Sequence, residues 1–336
     1  MKKVLILTTG GTLAQEGNNG VLDIVESKNS DFLKNILTYN EDDVYIKDLF
    51  AKDSSNIIQE DWGIIINEII NNISNYDGFI ILHGTDTMAY TSAALSLALG
   101  GVKKPILLTG GQIPLGYVGT DGKMNIDNCI RIINETDLYG VYLVFGSYII
   151  AGTRVKKVSE LDYDAFESFS DTCIGRVGVK IRLDYDNVNK YMSTYNTQNN
   201  KIKFAMDKIC VLNEFPSINK RIFTSLVENG IKAFIFRAYA DGNLCIAELE
   251  EIIKYLREKE IPIAIISQPD RGCTTMANYV VGQRAKELGA VPTFDMTTES
   301  LTVKLGWLIA QDLSYEEIRS KLNENIRGEI RIEENC

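Results

Sequence analysis

Residues 4–12 read VLILTTGGT. An uncharged run led by four aliphatic residues is what a parallel strand buried on both faces requires. The run then breaks into Thr9-Gly10-Gly11-Thr12. Two readings explain that break. A glycine-rich turn after a strand can cradle a phosphate. Alternatively, the glycines let the backbone turn sharply and expose the Thr12 hydroxyl as a nucleophile.

The same pattern recurs along the chain. FIIL (79–82) runs into HGTDT (83–87), and PILL (105–108) runs into TGGQ (109–112). VYIKDLF (44–50) ends at DSSN (53–56), and VYLVF (141–145) reads as a further strand. Helical spacing separates these strands near residue 30, where Phe32, Leu33, Ile36 and Leu37 share a face, and over 59–73, 88–99 and 122–134. QEGNNG (15–20) reads as a polar loop. In an open α/β sheet ligands sit outside the carboxyl ends of the strands, so the loops TTGGT, DSSN, HGTDT and LTGGQ are expected to converge on one site. A stretch rich in Asn, Tyr and Lys (184–207) reads as a linker. A second alternation follows, with strands at 208–213, 233–239 and 262–267 and helices at 217–229, 246–258, 276–288, 298–311 and 314–325. The expected fold is two α/β domains: a larger N-terminal doubly wound sheet of parallel strands (1–183), and a smaller C-terminal α/β domain (208–336).

Composition narrows the class. The 336 residues are 45% hydrophobic and 24% charged, ordinary for a globular chain of two domains. The formal net charge of -10 disfavours nucleic acid and anionic membrane as main partners. No stretch approaches the roughly 20 apolar residues of a membrane span. The apolar run after Lys2 and Lys3 is too short for a signal-peptide core. The six cysteines form no C-x-x-C pair, so no zinc or redox motif is visible, and they read as reduced in a cytoplasmic protein.

The phosphate reading fails on motif grounds, since TGGTLA is neither G-x-G-x-x-G nor a P-loop with its Lys-Ser/Thr. A threonine nucleophile needs a base. His83, the one histidine, sits at the end of a strand and is equally well a scaffold residue. Lys156 and Lys157 in GTRVKKVS (152–159) point to opposite faces of a strand, so one can turn inward. A desolvated lysine can act as a base. Asp86 can cap the following helix or hold an ammonium. Ser54 and Ser55 are turn residues or carboxylate ligands.

Taken in order, TGGT (9–12), HGTDTMAYTSAALS (83–96), LTGGQIP (108–114), GTRVKKVSELDYDAFES (152–168), YADGNL (239–244) and DMTTESLTVKL (295–305) resemble the cytoplasmic, type I bacterial L-asparaginases over essentially the whole chain. The resemblance implies hydrolysis of the side-chain amide of L-asparagine to L-aspartate and ammonia, with no metal or organic cofactor. It implies Thr12 as nucleophile; a hydrogen-bonded triad of Thr85, Lys157 and Asp86; Asp86 on the substrate ammonium; and Ser54, with Ser55 beside it, on the α-carboxylate. It implies that Asn243 reaches a neighbouring subunit in a homodimer or homotetramer.

The chain departs from the family in two places. Many members carry a tyrosine in the loop after the nucleophile, where this chain has Val21. A cysteine in a T-Q-C stretch, part of an allosteric site in one relative, is replaced in Ser267-Gln268-Pro269, although Arg237 matches an arginine of that site. Two other functions are consistent with the motifs: an ammonia-releasing amidotransferase subunit, and a non-catalytic amino-acid-binding module.

Overall fold

The computed structural model describes residues 1–11, 15–18, 21–24, 43–198 and 201–331. The chain divides into two compact units, Met1–Ile202 and Lys203–Cys336. Thr12 and the helix expected near residue 30 lie outside the described residues.

The first unit is built on one eight-stranded sheet. Its strands are β1 (Val4–Gly10), β4 (Val44–Lys52), β5 (Gly78–Leu82), β6 (Pro105–Thr109), β7 (Gly140–Phe145), β8 (Tyr148–Ala151), β11 (Gly175–Val177) and β12 (Ile181–Leu183), in the order β12-β11-β8-β7-β6-β5-β1-β4. The five strands β4, β1, β5, β6 and β7 are parallel. Every residue of β1, β5, β6 and β7 is buried, as their uninterrupted apolar sequences predict.

The sheet is not parallel throughout. β8, β11 and β12 add antiparallel strands at one edge. The cause is local: Phe145 pairs with Tyr148 across only Gly146 and Ser147, and so short a connection can only reverse the chain. Gly146 supplies the positive φ of 54° that the reversal needs. Two small antiparallel pairs complete the unit. The first is β2 (Gln15–Asn18) with β3 (Val21–Ile24), where the sequence reads as a loop; the second is β9 (Val155–Lys157) with β10 (Phe166–Ser168).

The stretch 184–207 is not a plain linker. It carries a helix, Tyr185–Ser193, capped by Asp184. Tyr191 and Tyr195 from this region are buried, stacked edge-on at 5.4 Å, and their hydroxyls serve the sheet backbone. Tyr191 Oη donates to the Val141 carbonyl at 2.7 Å and accepts from Gly152 N–H at 3.1 Å, while Tyr195 Oη accepts from Val141 N–H at 3.2 Å. Tyrosines used in this way leave little apolar periodicity in the sequence, which is why the segment reads as a connector.

The second unit holds a four-stranded parallel sheet in the order β13 (Ile209–Asn213), β14 (Ala233–Ala238), β15 (Ile263–Ser267) and β16 (Val291–Pro292). Its core packs Phe223, from the helix Arg221–Glu228, against Phe234 and Phe236. Cys129, Cys173, Cys210 and Cys245 are free thiols. Cys273, half-buried on a loop after β15, is disulfide-bonded and so departs from the reading of all six as reduced. Among the described residues no helix is long and apolar enough to cross a membrane, and no cluster of His, Cys, Asp and Glu could hold a metal.

Candidate active site

Three parallel strands and the turn after a fourth meet at one edge of the first sheet, and glycines set how closely they meet. Gly11 has φ +82°, and a Cβ placed there would lie 2.5 Å from the backbone N and Cα of Gly84. A Cβ on Gly84 would lie 2.7 Å from Ser54 Oγ, and one on Gly110 would lie 2.4 Å from the His83 carbonyl. The loops after β1, β5 and β6 therefore pack backbone to backbone, with the Ser54 side chain of the loop after β4 against Gly84, and only glycine permits it. This is the physical reason for the Gly-Gly endings that open the sequence.

The side chains brought together are Ser54, Thr85, Asp86 and Lys157. Lys157 Nζ donates to Thr85 Oγ1 at 2.9 Å and to Asp86 Oδ1 at 2.6 Å. Thr85 is buried, whereas the Asp86 side chain is 63% exposed, so the carboxylate holds the lysine and still faces a ligand from solvent. Ser54 Oγ, itself buried, accepts the Asp86 N–H at 3.3 Å. Among the described residues no acceptor takes its hydroxyl proton. Thr87, not Asp86, occupies the N-cap of the helix Met88–Ala98, and its hydroxyl donates to the Ser54 carbonyl at 2.7 Å. The capping explanation of Asp86 therefore fails.

Lys157 is aimed by its hairpin. It pairs with Phe166, whose ring sits 5.0 Å from that of Phe145 on the main sheet. The turn ahead of it is held by Ser92 of the neighbouring helix, which donates to the Gly152 carbonyl at 2.7 Å. Gly152 lies so close that a Cβ there would meet Ser96 Oγ at 2.4 Å.

Of the other two expected residues, Ser55 belongs to this unit and Asn243 to the second. Ser55 is exposed, and both its N–H and its hydroxyl donate to Asp53 Oδ1, at 2.9 and 2.7 Å. Asp53 caps this turn through Ser55, which takes no part in the cluster around Lys157. Asn243 belongs to the second unit, in the turn after β14, where its Oδ1 is buried without a hydrogen-bond partner among the described residues.

With this site and fold in place, the family comparison is decisive. The family described as "Asparaginase, N-terminal" matches residues 3–189, and the "Glutaminase/Asparaginase C-terminal domain" matches residues 208–322. The chain belongs to the asparaginase family. It is 32% identical to L-asparaginase 1 of Escherichia coli strain K12, over 83% of this chain and 82% of that one. Among solved structures, the thermostable L-asparaginase of Thermococcus kodakarensis superposes with a TM-score of 0.88 at 28% identity, covering 98% of this chain and all of that one. L-asparaginase I of Vibrio cholerae O1 biovar eltor gives 0.85 at 28% identity, covering 98% and 99%.

Within this asparaginase fold His83 is a scaffold residue. Its ring is fully buried, with Nδ1 2.7 Å from the Gly84 carbonyl and Nε2 2.8 Å from Thr91 Oγ1. Burial drives its pKa down to about 4 from 6.5, against the opposing effect of the Gly84 carbonyl, so the ring is neutral at pH 7. The stability consequence has a definite sign. The unfolded state takes up the proton first, so the stability His83 contributes is complete above 6.5 and is lost as the pH falls from there through 4. Between about pH 7 and 4.5 the wild type should lose about 2–3 kcal/mol more than the His83→Gln variant. Urea unfolding at the two pH values measures this, and equal losses in the two proteins would refute it.

Sequence reasoning gave no role in the site to Thr91, which bonds His83, or to Trp62, which bonds Thr91, because a threonine and a tryptophan packed in buried helices carry no chemical signature.

Proposed function

We propose that this chain hydrolyses L-asparagine to L-aspartate and ammonia. The observation that carries the reading is Lys157 Nζ held at once by the Thr85 hydroxyl and the Asp86 carboxylate. An amide is a poor electrophile, so the reaction needs a nucleophile, a proton route to the leaving ammonia and donors for the oxyanion. Thr12 is assigned the attack on the side-chain carbonyl carbon. Its proton passes to the departing nitrogen, and the C–N bond breaks to leave an acyl ester on Thr12. Water, relieved of a proton through Thr85 and Lys157, then cleaves the ester to L-aspartate. Asp86 holds the substrate ammonium, and Ser54 offers its free hydroxyl proton to the α-carboxylate. No step calls for a metal or an organic cofactor.

The test is ammonia release from L-asparagine alone by the purified chain, without nucleotide or tRNA. Turnover supports the hydrolase. Release only with an acceptor tRNA system would favour an amidotransferase subunit, and binding without turnover a non-catalytic module.

Membership of the asparaginase family supports a homo-oligomer of the cytoplasm with a site shared between copies, to which Asn243 contributes. Activity per chain should then fall on dilution in step with the oligomer peak in sedimentation. Monomers turning over at full rate would remove the shared site.

A further inference from the structure

The buried hydrogen bonds around His83 run in one direction only. The Gly84 carbonyl can only accept, so His83 Nδ1 carries the proton. In the neutral ring Nε2 is then bare and accepts from Thr91 Oγ1–H at 2.8 Å. Thr91 Oγ1 in turn accepts from Trp62 Nε1–H, a donor only, at 3.0 Å. Trp62, Thr91 and His83 are all buried, and they come from the helix Gln59–Asn72, the helix Met88–Ala98 and the turn after β5. The chain ends on the peptide that immediately precedes Thr85. Gly11, the residue before Thr12, rests on the N and Cα of the same Gly84.

We propose that Trp62, Thr91 and His83 are positioning residues for the reaction at Thr85 and Lys157, their one-way hydrogen-bond chain fixing the Gly84 peptide on which both the Thr85–Asp86 pair and Gly11 rest. The proposal builds on the hydrolase reading above. None of the three touches the substrate. Their effect is on orientation, so it falls on kcat and leaves uniform binding largely alone. Losing the Thr91 hydroxyl removes the donor to Nε2 and breaks the link from the indole N–H, so the ring and the Gly84 peptide are held less firmly.

Thr91→Val keeps the side-chain shape and removes the hydroxyl. Its kcat on L-asparagine should fall about tenfold or more, with KM moving by less than about threefold. Thr91→Ser should recover kcat to within about threefold of wild type, since it restores the hydroxyl. The tautomer gives an independent readout, made unambiguous by the single histidine in the sequence. Nitrogen-15 NMR should show His83 as the Nδ1–H form in the wild type, with the Nε2 resonance shifted in Thr91→Val by the loss of its donor. Unchanged kcat in a folded Thr91→Val, or an Nε2–H ring in the wild type, overturns the proposal. Should Thr91→Val not fold, Trp62→Phe carries the same kinetic expectation, and full kcat there overturns it equally. A wild type inactive on asparagine overturns the hydrolase reading and this proposal with it; an active wild type with unaltered variants overturns this proposal alone.

Discussion

Replacing Lys157 by methionine should lower kcat on L-asparagine by about three orders of magnitude or more while barely changing stability. The two expectations come from the same geometry. Lys157 Nζ is the donor to both Thr85 and Asp86, so methionine removes the proton-handling group and leaves Thr85 without its partner. General acid–base help alone is worth about 10²–10⁴ in rate. The ion pair with Asp86, in contrast, lies open to water, with the carboxylate side chain 63% exposed. Pairs so exposed stabilise a fold by about 0–1 kcal/mol. The measurement is kcat and KM beside a urea titration of the same preparation. His83→Gln is the counter-experiment. His83 is neutral, buried and out of the cluster, so that variant should fold and retain turnover within about thirtyfold of wild type, the range of a lost orienting contact. A folded but dead His83→Gln, or a Lys157→Met that keeps a tenth of its activity, would reverse the assignment.

How much of this was legible in the sequence depended on the kind of signal. Strands buried on both faces announce themselves, because nothing else in a globular chain demands runs such as FIIL or PILL; β5 and β6 lie within a residue of their expected limits. The convergence of four loops followed from the rule that parallel strands end on one edge. The choice of Lys157 over Lys156 came only from the family resemblance. The hairpin register explains it: Lys157 pairs with buried Phe166 and Lys156 with exposed Glu167, on opposite faces. Short antiparallel strands such as β11 and β12 stayed invisible because three residues carry no period. The helix Tyr185–Ser193 was hidden because it buries only Val188 and Tyr191, and the Tyr191 hydroxyl bonds the sheet backbone. At Ser55 the structure shows a local turn capped by Asp53, which the sequence cannot distinguish from a ligand site.

Gly11→Ala should be severely damaging, and it separates the glycines that build the site from those that do not. The methyl group would stand 2.5 Å from the Gly84 N and Cα, which are backbone and cannot rotate away. The φ of +82° adds the strain of a left-handed alanine, about 1–2 kcal/mol. Relief requires the loop after β1 to lift off the loop after β5 by most of an ångström. Thr12 is joined to Gly11 and Thr85 to Gly84, so the displacement falls directly beside the assigned nucleophile and the partner of Lys157. A misplacement of that size costs about a hundredfold in rate. The expected result is a loss of kcat on that scale together with about 1–3 kcal/mol of stability. Gly63 is the internal control. It lies in the helix Gln59–Asn72 with nothing within 4 Å of where its methyl group would stand, and its φ is not left-handed. Gly63→Ala should therefore raise stability by about 0.5–1 kcal/mol and leave kcat unchanged. The two variants make the same chemical change with opposite signs. Equal behaviour in a side-by-side urea titration and ammonia assay would mean that close approach of the two loops does not govern the site.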